Sequence, residues 1–352
     1  MVLDSKLMQT IFARYCMAIA CLLGSAVTQA GNVDARVWLE RMSQALVERN
    51  YDGRFIHSTE SQSETMRIVH RNVNGKITER LVSLDGMGRE YVRTNSQVTY
   101  YMPDQRSVLV ETRANSDALL TLIPEYKPGL EAYYDISTGP VGKVLERKAQ
   151  LVTVQPRDEY RYGYRLWLDV ETAMPLKSQL FDRQGRIVEQ VAFAELALRE
   201  RITDRDLQPS INTAGYEWVR HEIRRRTTDQ DTIGWQMRNL PPGFKLQLTR
   251  LQPVVGSNIP VKHLVYSDGL ATVSVFIEVM NDSSDIGSSL HRVGSAYAYH
   301  TETAGYQITA VGEVPASTVR SMVTSLSRQN SPNSNPPGKT AFSSSASAVA
   351  RK

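Results

Sequence analysis

The sequence predicts a mainly antiparallel β protein of the α+β class: a large curved sheet packed on one helix, followed by a smaller sheet-and-helix domain. Three observations predict it. One amphipathic helical pattern opens the chain behind an apolar leader. From Arg54 to about Leu196 apolar and polar residues then alternate with period two between Asn-Gly and Asp-Gly turns. After a polar interruption the alternation resumes, more briefly, and ends in a second helical pattern.

The first thirty residues read as an export signal. Lys6 and Arg14 form a basic start, Tyr15 to Leu23 is apolar, and Thr28-Gln29-Ala30 is an A-x-A-like cleavage site. The apolar stretch is shorter than the ~18 residues of a spanning helix. Ala18-Ile19-Ala20-Cys21 resembles a lipoprotein box, but Leu22 and Leu23 carry the apolar stretch past it. Both cysteines, Cys16 and Cys21, lie in this segment, so the remaining chain is expected to have no disulfide, thiol nucleophile or thiolate ligand.

The helix is expected from Asp34, a suitable N-cap, through Leu39, Met42 and Leu46, with Trp38 and Ala45 beside them and a stop at Asn50 to Gly53. Strand alternation follows. Met66, Ile68 and His70 interleave with Arg67 and Arg71, and Asn74-Gly75, Asp85-Gly86 and Asn95-Ser96 supply turns. Val98, Tyr100 and Met102 alternate up to Pro103. Later Tyr160, Tyr162, Tyr164, Leu166 and Leu168 alternate with Arg161, Gly163 and Arg165. The pattern implies a meander of eight or more strands whose concave face the helix fills. Between its halves lies Ala118-Leu119-Leu120-Thr121-Leu122-Ile123, ending at Pro124; it reads either as a short buried helix or as an apolar flap over a cavity.

The expected organisation is a signal at 1–30, a first domain at 31–198, a polar linker at 199–217, a second domain at 218–328 and a Ser, Pro and Asn-rich disordered tail at 329–352. In the second domain Phe244, Leu246 and Leu248 alternate after Pro241-Pro242-Gly243, and Ser267-Asp268-Gly269 marks a hairpin. Pro315 introduces a helix carrying Val319, Met322, Val323 and Leu326.

Composition narrows function without naming it. A net charge of +4 over 352 residues is mild for a nucleic-acid binder. The six histidines show no metal-ligand spacing, and there is no G-x-S-x-G elbow. Gly338-Lys339-Thr340 mimics a phosphate loop, but Asn333 stands where that loop needs its first glycine. Asp85 and Asp268 are explained by turns, where Asp bonds its own backbone. No metal, cofactor or catalytic residue is expected. Arg220, Arg224, Arg225 and Arg226 form the densest basic cluster. It is either a solvated strand edge or a guanidinium site for phosphates or an acidic protein partner.

Several segments carry a resemblance. Leu81-Val82-Ser83-Leu84-Asp85-Gly86 with Arg89-Glu90, Tyr133-Tyr134-Asp135, Leu166-Trp167-Leu168-Asp169, Tyr266-Ser267-Asp268-Gly269-Leu270, and Ile308 to Pro315 together resemble the RseB/MucB family of periplasmic regulators. The resemblance runs through nearly the whole chain after the leader, in order. It implies a first domain similar to the LolA and LolB lipoprotein carriers, a half-barrel wrapped around a helix, and a smaller sheet-and-helix second domain. It also implies a non-enzymatic periplasmic protein. Such a protein binds the periplasmic domain of an RseA/MucA-type transmembrane anti-sigma factor, shields it from the site-one protease, and is displaced by lipopolysaccharide or another lipid under envelope stress. Homo-oligomerisation is left open.

With that frame, the acyl-compatible candidates are Met66, Ile68, Tyr100, Met102, Leu119, Leu120, Leu122, Ile123, Tyr162 and Tyr164. The candidates for the acidic partner or lipid phosphates are the four arginines. A periplasmic lipid or lipoprotein carrier is the alternative, and an unrecognised hydrolase would need a converging acid, base or nucleophile.

Overall fold

The computed structural model describes residues 34–86, 88–112, 126–222, 234–252, 260–280 and 287–328. The opening helix α1 (Ala35–Glu48) forms where the 3.6-residue period predicts it and buries Trp38, Leu39, Met42 and Ala45. Around it curls a sheet of twelve strands. They are β1 (Tyr51–Thr59), β2 (Ser63–Val73), β3 (Lys76–Ser83), β4 (Glu90–Thr94), β5 (Gln97–Met102), β6 (Ser107–Thr112), β7 (Tyr134–Val144), β8 (Arg147–Pro156), β9 (Gly163–Asp169), β10 (Pro175–Phe181), β11 (Ile187–Leu198) and β12 (Glu217–Glu222).

Their spatial order is β12-β6-β5-β4-β3-β2-β1-β11-β10-β9-β8-β7. Two up-and-down meanders are thus fused where β1 pairs antiparallel with β11. Short turns make this topology cheap to specify: at Asn74-Gly75 both residues hold positive φ, 53° and 80°, as a two-residue hairpin requires. One apolar cluster contains α1 together with Phe55, Ile68 and Leu81 from one meander and Val152, Leu166 and Leu168 from the other. Strands from both halves meet the same helix, so the sheet is an open half-barrel around it, as expected.

Two expectations change. The stretch 199–217 is no loose tether. Its short helix α2 (Asp204–Leu207) seats Ile202 and Leu207 on Val69, and Ser210 donates its backbone N–H to Glu90, which also receives Arg80 Nε at 2.9 Å. This segment lies on the face opposite α1, because Val69 and Arg80 alternate with the inward Ile68 and Leu81. The next residues, placed by sequence at the start of the second domain, form β12. It pairs parallel with β6, Glu217 opposite Ser107 through Glu222 opposite Thr112, and so extends the first sheet.

The remaining elements build a second sheet in the order β14 (Lys245–Gln252), β15 (Val261–Ser267), β16 (Thr272–Val279), β19 (Tyr306–Gly312), β18 (Ala296–Thr303), β17 (Ser289–Val293). Helix α3 (Ala316–Ser325) buries Val319, Met322 and Val323 on Leu264, Val275, Ile277 and Ala310. Leu326, expected in this helix, begins β20 (Leu326–Arg328), which pairs with β13 (Trp235–Met237). Among the described residues no helix is long and apolar enough to cross a membrane.

Candidate functional site

The two sheets meet through polar groups that are out of water. Arg161, in the β8–β9 connection, is 1% exposed. Its Nε and Nη2 donate to the two oxygens of Asp158, both at 2.9 Å, and its Nη1 reaches Asp268 Oδ2 at 2.5 Å across the joint. Nη2 also donates to the Pro242 carbonyl. The rings of Tyr133, Tyr134 and Phe244 surround the guanidinium at 5.2–5.4 Å. A cation stripped of water holds its place only when its donors are satisfied and its charge is paired, and here both conditions are met.

Asp268 does two jobs. Its Oδ1 accepts the N–H groups of Leu270 and Ala271 at 2.8 and 2.7 Å, closing the β15–β16 hairpin. Its Oδ2 takes Arg161 and the Tyr134 hydroxyl, the latter at 2.9 Å. Burial raises the Tyr134 phenol far above its ordinary value, so it remains a donor. Beside this pin Gly243 holds φ +85° with its backbone against the Tyr133 ring, and a Cβ there would lie 2.5 Å from a ring carbon.

A second polar contact lies further along. Glu189 on β11 accepts from His57 Nε2 on β1 at 2.7 Å. Its neighbour across the joint is Glu313, just after β19, which receives the Ser295 hydroxyl and, at 3.4 Å, the Tyr164 hydroxyl. Burial, then the Glu189 charge, pushes Glu313 up to about 7. Burial also works to raise Glu189, yet hydrogen bonding, first from His57, carries it below the usual carboxylate value. The bond to Glu189 raises His57 in turn. The void between these carboxyls, about 10 Å³, has room for one water at most. Such a space does not admit a substrate.

Beside the pair opens a cleft of about 530 Å³. Tyr162, Val188 and Tyr297 supply ring and aliphatic wall, and Pro315 to Ser317 lie on its rim. Its three arginines are each matched by a carboxylate: Arg183 with Glu159 at 3.1 Å, Arg186 with Asp182 at 2.7 Å, and Arg292 with Glu60.

The candidate residues separate in the structure. Met66 and Ile68 face inward and belong to the core against α1. Tyr100 and Met102 share that face nearer the sheet's end, half-buried, with Tyr100 edge-on to Tyr91 at 5.6 Å and bonded to Glu111. The same face carries an ion pair, Arg93 Nε to Glu79 at 2.7 Å, and His70 stacked on Tyr51, so it is no uniform acyl surface. Tyr164 spans the core and the joint, and Tyr162 lines the cleft. Leu119, Leu120, Leu122 and Ile123 fall outside the described residues, as do Arg224, Arg225 and Arg226. Arg220 is exposed on β12, its guanidinium 6.0 Å from the Trp218 ring, which is 46% exposed and edge-on to Tyr101.

Arg161, Asp268, Glu189 and Glu313 escaped the sequence reading as joint residues. The signal was present in part, because three segments that carry the family resemblance supply Tyr134, Asp268 and Glu313.

Fold and joint together define a protein of two main sheets, a helix-filled half-barrel pinned through buried charges to a smaller sheet-and-helix unit. The chain belongs to the MucB/RseB family. The family's N-terminal domain profile matches residues 34–211 and its C-terminal domain profile residues 229–327. The chain is similar to the sigma factor AlgU regulatory protein MucB of Pseudomonas aeruginosa, 31% identical over 322 residues, 88% of this chain and 96% of that one. It is also similar to the sigma-E factor regulatory protein RseB of Haemophilus influenzae, 27% identical over 86% of this chain and 94% of that one. The solved P. aeruginosa MucA/MucB complex matches with a TM-score of 0.67 at 29% identity, covering 84% of this chain and 99% of that one. These relatives are regulators of sigma factors.

Proposed function

We propose that this chain is a periplasmic, non-enzymatic regulator. It binds the periplasmic region of a transmembrane anti-sigma factor, shields that region from the first protease, and lets go when a lipid such as lipopolysaccharide binds. The observation that carries the reading is the match over nearly the full length of MucB, both domains included, to a structure solved with MucA.

The candidate partner surface is the β12 end of the large sheet. There Arg220 and the exposed Trp218 put a cation beside an aromatic, a combination suited to an acidic peptide with an apolar anchor. For the lipid, the filled interior of the half-barrel moves the candidate entry to the cleft that Tyr162 lines. Displacement needs the lipid to prefer the partner-free arrangement, since a ligand with equal affinity for both arrangements shifts nothing.

Titration calorimetry with the periplasmic segment of the anti-sigma factor, repeated with lipopolysaccharide, tests this. Saturable binding that weakens as lipid is added is expected. No binding refutes the partner assignment, and binding indifferent to lipid refutes the release step.

A further inference from the structure

The Glu189–Glu313 contact has a property that the partner reading does not use. The large sheet presents His57 from β1, Glu64 from β2, Tyr164 from β9 and Glu189 from β11; the small sheet presents Ser295 from the β17–β18 turn and Glu313. Among the described residues no salt bridge crosses the joint to either carboxyl; His57, bonded to Glu189 within the large sheet, is a cation whose charge also reaches Glu313. His57 occupies Glu189 Oε1, whereas Glu189 Oε2 is buried with no donor. An acceptor left so is costly, and two ionised carboxyls facing each other out of water are worse. One proton on Glu313 answers both problems, because its O–H then donates to the orphaned Oε2 and the like-charge contact disappears.

We propose that Glu189 and Glu313 form a proton-held latch: one proton shared by the two carboxyls keeps the small sheet seated on the large one, and its loss to solvent loosens the joint. The direction follows from linkage. A carboxyl whose value is raised in the closed joint favours closure when protonated. Closure is therefore fully supported below the ordinary 4.5 and weakens as pH rises through about 7. Within that window the closed-to-open ratio falls by up to about tenfold per pH unit. His57 pairs with Glu189 inside the large sheet, so opening the joint does not break that pair. Its deprotonation at higher pH removes the cation beside Glu189 and acts in the same direction. The Arg161–Asp268 ion pair lies outside this carboxyl contact and serves as the hinge point. The latch needs no partner, so its failure would leave the regulator reading untouched.

The test combines small-angle X-ray scattering of the full chain, at pH about 5.5 and about 8.5, with carbon-13 carboxyl titration of Glu313 by NMR. The wild type is expected to be compact at the lower pH and expanded at the higher. E313Q, whose amide donates to Oε2 without a titrating proton, should be compact at both. E189Q removes the like charge and should shift the Glu313 midpoint down towards 4.5. A wild type unchanged between the two conditions overturns the latch, as does an E313Q that keeps the wild-type response. Should E313Q not fold, the carboxyl titration decides alone: a Glu313 midpoint near 4.5 in the wild type, or one that E189Q leaves in place, overturns the proposal.

Discussion

Replacing Asp268 by asparagine isolates the pin that joins the sheets. Asparagine keeps an acceptor for the Leu270 and Ala271 N–H groups, so the hairpin survives. It loses the charge facing Arg161 and the Tyr134 hydroxyl, and either amide orientation sets a donor against a donor. Both side chains of the pair are 0% exposed, so water does not compensate. Breaking a buried ion pair from one side costs about 3–5 kcal/mol when the surviving charge is stranded. Arg161 is not stranded, because Asp158 still holds it through two bonds of 2.9 Å. The lower end, about 3 kcal/mol, is therefore expected. In urea, with a slope of about 3 kcal/mol per M, the midpoint should fall by about 1 M. Arg161→Met in the D268N background should cost much less than in the wild type, which a double-mutant cycle reads directly. A loss below about 1 kcal/mol for D268N, the size of an ordinary hydrogen bond, would refute the reasoning.

Three further outcomes are expected. Gly243→Ala meets both the left-handed backbone, φ +85°, and the Tyr133 ring; it should cost about 2 kcal/mol or more in denaturant melts, and a neutral effect would contradict the close approach. Burial, then the Arg250 charge, holds His263 down at about 4, so the stability it contributes is present above 6.5 and lost as pH falls through that window. His263→Gln should flatten the acid limb of a stability-pH profile by about 2 kcal/mol, and superimposable profiles would remove His263 from the account. Arg220→Gln should weaken partner binding by about 1 kcal/mol or less at low ionic strength and by less at about 1 M salt, where the Debye length is about 3 Å; equal affinities at low salt would take Arg220 out of the interface.

How much of this was readable in the sequence depends on the range of the interaction. Local rules located α1 from the Trp38, Leu39, Met42 and Ala45 stripe, and located hairpins from Asn74-Gly75 and Ser267-Asp268-Gly269, because helix period and turn chemistry act over a few residues. The alternation of Met66, Ile68 and His70 with Arg67 and Arg71 along β2 was legible for the same reason, though not which of its two sides turns inward. Periodicity assigns a residue to a face, however, and does not say what covers that face. Arg161 stands among alternating tyrosines like a solvated residue, yet the second sheet seals it in. Asp268 satisfies its own turn with one oxygen, which hid the other oxygen's partner 107 residues away. The parallel pairing of β12 with β6 joins segments about 110 residues apart and leaves no period to detect. The family resemblance compensated in part, since it rests on segments whose side chains meet at the joint.

The regulator proposed above protects another polypeptide by sitting on it. A protease-protection assay tests it most directly: the anti-sigma factor's periplasmic segment is exposed to the site-one protease with the purified chain absent, present, and present with lipopolysaccharide. Survival of the segment only in the second condition is the predicted result. Cleavage at the same rate in all three would contradict the account.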